Sequence, residues 1–330
     1  MISAFLAFCL GAALALYTTP LMRQAALKFG IVDRPDGSLK NHREPIPYLG
    51  GLAVFLAFLV TLGLTFQFSH AVLGILLAGT LMLLVGLIDD LGVLSPWEKL
   101  AGQCVAVAVL LKADLYVKLV FIPPEVAYAI SIFWLLAITN AFNIIDIMDG
   151  LAPGVAAIAA LFLAGVAILN QEPMVAVMSS ALAGSLLGFL RYNFTPARIY
   201  LGDSGSLFIG LVLAALAMNG GYTKSNWLAM LTPVILFGVP LFDLAFVSIV
   251  RWEQGLSPFR GSPDHFALRL RRAGLSVKQT VGIAYAAGIL LGFAGYALMG
   301  AANERSATTI LIVLSMILLL SAVGLRKTGI

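Results

Sequence analysis

The sequence predicts an all-α, polytopic integral membrane protein, a single domain over 1–330 with about eleven transmembrane helices, N-terminus outside and C-terminus inside. Three observations predict this. First, 61% of the 330 residues are hydrophobic and 11% charged, with a mean hydropathy of +1.00, whereas a soluble domain carries roughly 25% charged residues. One aqueous core cannot hide that much apolar surface. Second, apolar runs near bilayer length fall at 2–20, 47–67, 71–88, 100–112, 125–142, 153–169, 174–190, 204–220, 228–250, 280–299 and 307–325. Third, with the N-terminus outside, Arg23, Lys28, Arg34, Lys40, Arg43, Lys99, Arg191, Arg198, Arg251, Arg260, Arg269, Arg271, Arg272, Lys278, Arg326 and Lys327 fall on inner loops, against Lys112, Lys118, Lys224 and Arg305 outside. Cytoplasmic loops hold the excess of Lys and Arg, so this sorting sets the orientation and supports the span count.

The first run starts at Ile2 with no basic residue before it and no small-residue cleavage signature, which reads as a retained span. Cys9 and Cys104 both lie in apolar runs, with neither metal spacing nor a disulfide framework. No internal repeat and no long linker divides the chain.

The inner loops carry the chemistry. The stretch 140–151 reads NAFNIIDIMDGL. Asn140, Asn143, Asp146 and Asp149 stand three apart, so on a helix they share one slowly drifting face, and Gly150 offers the helix an end. Carboxylates are costly in an apolar setting unless a cation meets them. Asp89 and Asp90 are adjacent at the end of the third run; a helix cap accounts for one of them but hardly both, and like charges so close repel unless a cation intervenes. In RYNFTPARIYLGDSGS, 191–206, Asp203 lies in a glycine- and serine-rich turn that opens the next span. Backbone N–H groups there suit an anion. Asp203 itself suits a divalent cation, magnesium or manganese by its oxygen ligands, or serves as an N-cap.

Two further inner loops are basic. In 31–51, Lys40, His42 and Arg43 stand beside Pro45 and Pro47, with Gly50 and Gly51 allowing a close backbone approach; these charges suit phosphate or simply an anionic leaflet. The loop Arg251 to Lys278 holds six basic residues and His265, and its Pro258–Gly261–Pro263 stretch predicts an ordered loop feeding a short helix from Asp264 to Arg272. Five carboxylates from three loops inside a basic rim are what a metal–diphosphate site requires. A site at the inner surface suits one soluble and one lipid substrate.

These motifs resemble the polyprenyl-phosphate N-acetylhexosamine-1-phosphate transferases, the superfamily that includes the phospho-MurNAc-pentapeptide translocases. The resemblance runs from about 31 to 272 through the Asp89–Asp90 pair, the N-x-x-N-x-x-D-x-x-D-G-L run, GDSGS at 202–206 and the His265 loop, in the family's order. It implies transfer of a sugar 1-phosphate from a UDP-sugar donor to a polyprenyl phosphate acceptor (undecaprenyl phosphate) with release of UMP. It implies Mg2+, with Mn2+ as a substitute, and a place in the cell inner (cytoplasmic) membrane with the site on the cytoplasmic face, at the first membrane step of a cell-envelope glycan. It implies no nucleic-acid partner and leaves room for a homodimer. By motif, Asp203 is the metal ligand, and Asp89 and Asp90 act at the lipid phosphate. Asn140, Asn143, Asp146 and Asp149 line the nucleotide and phosphate site, and Tyr200 stacks on uracil. Lys40, His42, His265 and Arg269 meet the donor.

The LKNHREPIPYLGG loop resembles the UDP-GlcNAc-type branch rather than the MurNAc-pentapeptide enzymes. Two departures stand out: Ile147 replaces a frequent Gly, and HFALRL at 265–270 puts Ala267 and Leu268 where relatives have His. An apolar wall there suits a donor with fewer hydroxyls, such as a 6-deoxy or diacetamido sugar, at least as well as GlcNAc. The rivals are weaker. DIMDG at 146–150 lacks the Ala-Arg and later Asp pair of the CDP-alcohol phosphotransferases. An ion-coupled transporter places ionisable groups near the midplane, often in repeats, and here only Asp243 lies within a span away from its ends.

Overall fold

Every expected apolar run carries helix in the computed structural model, which describes residues 1–33, 46–118, 122–257 and 262–327. The helices are α1 (Ile2–Phe29), α2 (Gly50–Thr65), α3 (His70–Asp90), α4 (Pro96–Lys112), α5 (Pro124–Ile144), α6 (Leu151–Asn170), α7 (Pro173–Asn193) and α8 (Gly202–Ala217). After a 3-10 turn at Trp227–Leu231 come α9 (Thr232–Leu236), α10 (Gly238–Glu253), α11 (Phe266–Arg272), α12 (Val277–Met299) and α13 (Glu304–Lys327). Seven of these helices are long and apolar enough to cross a bilayer, and eight if the bent pair Trp227–Leu236 and Gly238–Glu253 makes one span. The helices α2 and α8, at 16 residues each, and α4, at 17, are shorter. The chain is therefore a multi-pass membrane protein, and among the described residues it is all-α but for one two-residue strand pair.

Local sequence sets the helix ends. Ser95 and Glu98 form a capping box, with Pro96 at the first helical position of α4. Ser276 and Gln279 do the same for α12. Gly30 ends α1 in the left-handed region. The run 228–250 is not one straight span: its two halves meet at 76°. Pro240 has no N–H to give the Leu236 carbonyl, so the ladder breaks there. The short helix expected from Asp264 begins at Phe266. The strands β1 (Val32–Asp33) and β2 (Ile46–Pro47) pair antiparallel, Val32 opposite Pro47, too short a pairing to leave a period in the sequence.

The chain forms two compact units, Met1–Gly220 and Gly221–Ile330. In the first, α1 packs on α7 and α2, α6 on α7, and α3 and α5 on α8. Helix α8 is its centre: every residue from Gly202 to Ala217 except Asp203 is buried. Gly51 of α2 lets the chain approach Gly205 so closely that a Cβ on Gly51 would stand 2.2 Å from the Gly205 nitrogen. In the second unit, α12 packs on α9 and α13, and α13 buries only Ala307.

Candidate active site

The one polar break in the surface of α8 is Asp203, and three helix ends meet around it. Asp89 and Asp90 close α3, Lys99 lies one turn into α4, and Asn140 and Asn143 lie in the last turns of α5. The Lys99 ammonium lies 2.7 Å from Asp89 Oδ2 and 3.6 Å from Asp203 Oδ2, and donates to Asn143 Oδ1 at 2.9 Å. The amide nitrogen of Asn143 donates to Asp203 Oδ1 and, at 2.9 Å, to the Ser206 hydroxyl. Asp203 is the most open member of this group, its side chain 35% exposed against 15% for Asp89 and 18% for Lys99.

The adjacent carboxylates of α3 have separate tasks. Asp89 faces Lys99. Asp90 accepts the backbone N–H of Asp203 at 2.7 Å and of Ser204 at 3.1 Å, capping α8 from another helix. Gly202 makes this cap feasible: its φ of 74° is one L side chains rarely adopt, and a Cβ there would meet the Asp90 carboxylate at 2.7 Å. So the cap that could explain one Asp belongs to Asp90, and Asp89 is left for the cation.

Asn140 and Asn143 do share a face, as their spacing predicts, but α4 takes up Asn140. Gln103 Nε2 donates to Asn140 Oδ1 at 3.1 Å and Asn140 Nδ2 returns a bond to Gln103 Oε1 at 2.8 Å. Gln103 and Lys99, one turn apart on α4, thus meet Asn140 and Asn143 on α5 as two polar rungs. Asp146 and Asp149, expected on that same helix face, lie beyond the end of α5 at Ile144, and Gly150 caps the start of α6 instead of ending α5. Asp149 Oδ2 accepts the Ala197 N–H at 2.9 Å. Asn193 bridges the same two segments, accepting from Gly150 and donating to the Ile199 carbonyl, both at 2.9 Å. Asp146 has its carboxyl pushed well above the usual range by burial and then by Asp203, Asp90 and Asp149. That crowding marks an excess of negative charge that Lys99 does not offset.

Tyr200 stands beside this cluster. Its backbone N–H donates to the Pro47 carbonyl at 2.8 Å, which ties β2 to the 191–206 segment, and its carbonyl accepts from Gly50 at 3.0 Å. Its ring tilts against Tyr48, centroids 6.0 Å apart. Burial, Asp149, Asp33 and Asp146 push its phenol up to about 12. Burial and a hydrogen bond to Asp33 raise Tyr48 likewise. Lys40 and His42 lie outside the described residues.

The second unit holds His265 and Arg269. His265 Nδ1 bonds Asp243 Oδ2 at 2.7 Å. Arg269, expected to meet the donor, is 4% exposed; its guanidinium meets Asp264 Oδ1 at 2.9 Å, donates to the Leu325 carbonyl at 3.1 Å and lies over the Phe246 ring. These contacts join α10, α11 and α13. Ala267 is fully buried, so it presents no open apolar wall.

Sequence reasoning singled out neither Lys99 nor Gln103 for the site. The signal was there: Lys99 is the basic residue that follows the Asp pair within one short loop and turn. The oxygens of Asp89, Asp203 and Asn143 are of the type magnesium or manganese takes. Among the described residues, no group of three or more His, Cys, Asp or Glu is arranged to hold a metal ion.

Carboxylates, amides and an ammonium gather here at helix ends of a multi-span bundle, groups of the kind phosphoryl chemistry uses. The comparisons with known proteins narrow the class. Residues 72–221 match the family model for glycosyl transferase family 4. A probable undecaprenyl-phosphate N-acetylglucosaminyl 1-phosphate transferase of Bacillus subtilis is 31% identical over 312 residues, 91% of this chain and 86% of the relative. A decaprenyl-phosphate N-acetylglucosaminephosphotransferase of Mycobacterium tuberculosis is 33% identical over 309 residues, 82% of this chain and 76% of the relative. A phospho-N-acetylmuramoyl-pentapeptide-transferase of Caldicellulosiruptor bescii is 38% identical over 213 residues, 58% of this chain and 66% of the relative. The chain belongs to glycosyl transferase family 4.

Proposed function

We propose that this chain transfers N-acetylhexosamine 1-phosphate from a UDP-N-acetylhexosamine, UDP-GlcNAc or a modified relative, to a polyprenyl phosphate, with release of UMP. The observation that carries this reading is the meeting of Asp89 and Asp203 at Lys99, with Asp146 close enough to Asp203 and Asp90 to feel their charge. The relatives named for undecaprenyl- and decaprenyl-phosphate N-acetylglucosaminyl transfer support it.

A phosphate oxygen of the lipid attacks the β-phosphorus of the donor; the bond to the bridging oxygen breaks, and that oxygen leaves on UMP. Magnesium, when bound, offsets the charge of the diphosphate and of the departing UMP. Asp203 and Asp89, with the Asn143 amide, would hold it. The protein otherwise supplies position and charge. Lys99 is placed to meet a phosphate oxygen once its carboxylates turn to the metal. Asp90 holds the α8 end that carries Asp203, and Gln103 with Asn140 holds α5 against α4. Asp149 and Asn193 set the 146–150 loop against the segment carrying Tyr200, whose ring faces the uracil. His265 meets the donor phosphates, with Arg269 bracing the loop that presents it, and Lys40 and His42 reach the donor from the first basic loop.

All of 1–330 acts as one transferase. The full reading has eleven spans, in which α2, α4, α8 and the bent pair cross as well, with the N-terminus outside and the site at the cytoplasmic face of the inner membrane. The Lys and Arg sorting supports that orientation. The test is UMP release by purified protein given undecaprenyl phosphate, magnesium and a panel of UDP-sugars. UDP-N-acetylhexosamines should turn over. A strong preference for UDP-MurNAc-pentapeptide would overturn the donor assignment, and no turnover of any UDP-sugar would overturn the reaction.

A further inference from the structure

Asp243 is the buried carboxylate that the proposed chemistry leaves without a task. It lies inside α10 and is 0% exposed, a setting in which a carboxylate must be fully partnered. Both its oxygens are engaged in the loop that follows. Oδ2 meets His265 Nδ1 at 2.7 Å, and Oδ1 accepts the Phe266 N–H at 2.8 Å. An ionised carboxylate only accepts, so an ionised Asp243 would select the tautomer that carries its proton on Nδ1. The bond therefore fixes which ring nitrogen serves Asp243 and leaves Nε2 as the one that can act elsewhere. The second bond, to the residue after His265, fixes the backbone from which the ring extends. His265 is itself only 6% exposed, and Nε2 has no hydrogen-bond partner among the described residues. The adjacent ion pair of Asp264 with Arg269 at 2.9 Å holds the same turn from the other side and leaves Asp243 to His265.

We propose that Asp243 is a positioning residue that acts through His265, holding its Nδ1 protonated and its Nε2 toward the donor. This rests on the reading above, in which His265 meets the donor phosphates. An orienting carboxylate behind a functional imidazole is worth about 10–100-fold in comparable settings. The effect belongs in kcat more than in KM if the ring interacts most strongly with charge that develops in the transition state.

Five proteins test it: wild type, Asp243→Asn, Asp243→Glu, His265→Gln and the double variant of Asp243→Asn with His265→Gln, each assayed for UMP release. Asp243→Asn should lower kcat about 10–100-fold with a smaller change in KM, and Asp243→Glu should recover part of it. The double variant should be no slower than His265→Gln alone, because Asp243 then has nothing to position. A double variant slower by the product of the two single effects would overturn the proposal, as would full activity of Asp243→Asn. A separate reading does not depend on any variant folding. The chain has three histidines, so imidazole-15N NMR of the full-length wild-type protein in detergent resolves His265 from His42 and His70. Nδ1 of His265 should carry a proton; an unprotonated Nδ1 overturns the proposal. Wild type inactive on every UDP-sugar would instead overturn the functional reading and the kinetic role with it, while the NMR result still reports the ring.

Discussion

Two polar clusters, one in each compact unit, treat charge in opposite ways. In the first unit Asp89 and Asp203 meet the Lys99 ammonium, Asp90 and Asp149 take backbone N–H groups, and Asp146 lies among carboxylates. In the second, Asp243 is matched by His265 and Asp264 by Arg269. The balanced cluster has its partners already and is built to hold a shape. The overcharged one is held together by backbone N–H groups, side-chain amides and one lysine, and it is poised to gain from an added cation. Excess charge marks where a ligand belongs; paired charge marks what keeps the loop in place.

Breaking the overcharged cluster should have the largest effect. Asp203→Asn is expected to lower UMP release by at least about 1,000-fold while α8 stays capped, because the metal shell loses a charge and the Asp90 bonds go to backbone N–H groups. Turnover near wild type at low magnesium would remove Asp203 from the metal. Asp89→Asn should be nearly as severe, since Asp89 faces the cation. Asp90→Asn keeps one acceptor for two N–H groups and should be impaired mainly through a loosened α8 end, seen as lower thermal stability that Asp89→Asn does not share.

Lys99→Met comes next, at about 100-fold in turnover. Without the ammonium the carboxylates are less compensated, so magnesium should bind more tightly while the reaction slows. Weaker magnesium binding in that variant, read by calorimetry, would mean that Lys99 organises the metal site instead of sharing its place.

In the balanced cluster the expected loss is stability. Arg269→Met leaves the buried Asp264 with the more distant Arg272 at 4.0 Å and the Ser262 hydroxyl and should cost about 3 kcal/mol, visible as a lower melting temperature in detergent. Replacing Asp264 with Asn as well should recover part of this. An unchanged melting temperature in the single variant would make the pair dispensable.

The smallest effect is a pH slope. Asp146 is raised in the folded protein by burial and by its carboxylate neighbours. The folded state therefore holds a proton that the unfolded state releases at lower pH. Without metal, stability should rise as pH falls through the raised value toward the ordinary carboxylate range, and be lowest above it. Magnesium should flatten the slope by favouring the ionised form, and Asp146→Asn should abolish it. A melting temperature independent of pH in metal-free wild type would show that the crowding is relieved some other way.

Much of this was legible in the sequence because membrane insertion writes its rules into composition. A span must be apolar and helical to satisfy its own backbone, so the runs at 2–20 through 307–325 announce the helices. Regular spacing likewise put Asn140 and Asn143 on one face, and the glycine- and serine-rich stretch at 202–206 marked the turn that opens α8. What spacing cannot carry is who meets whom. Asp89 and Asp90 are alike in sequence, and only the close packing of α3 against α8 gives one to Lys99 and the other to the N–H groups of Asp203 and Ser204. Gln103 sits in an apolar run with no motif around it, and becomes part of the site because α4 crosses α5 at Asn140. Arg269 reads as a donor contact from its loop and is a brace because the end of α13 folds back onto it. Hydropathy and helix propensity act over a few neighbouring residues and are fixed by the sequence alone. Pairing between carboxylates and their donors depends on distances of about 3 Å between segments far apart in the chain, and those distances exist only once the helices have packed.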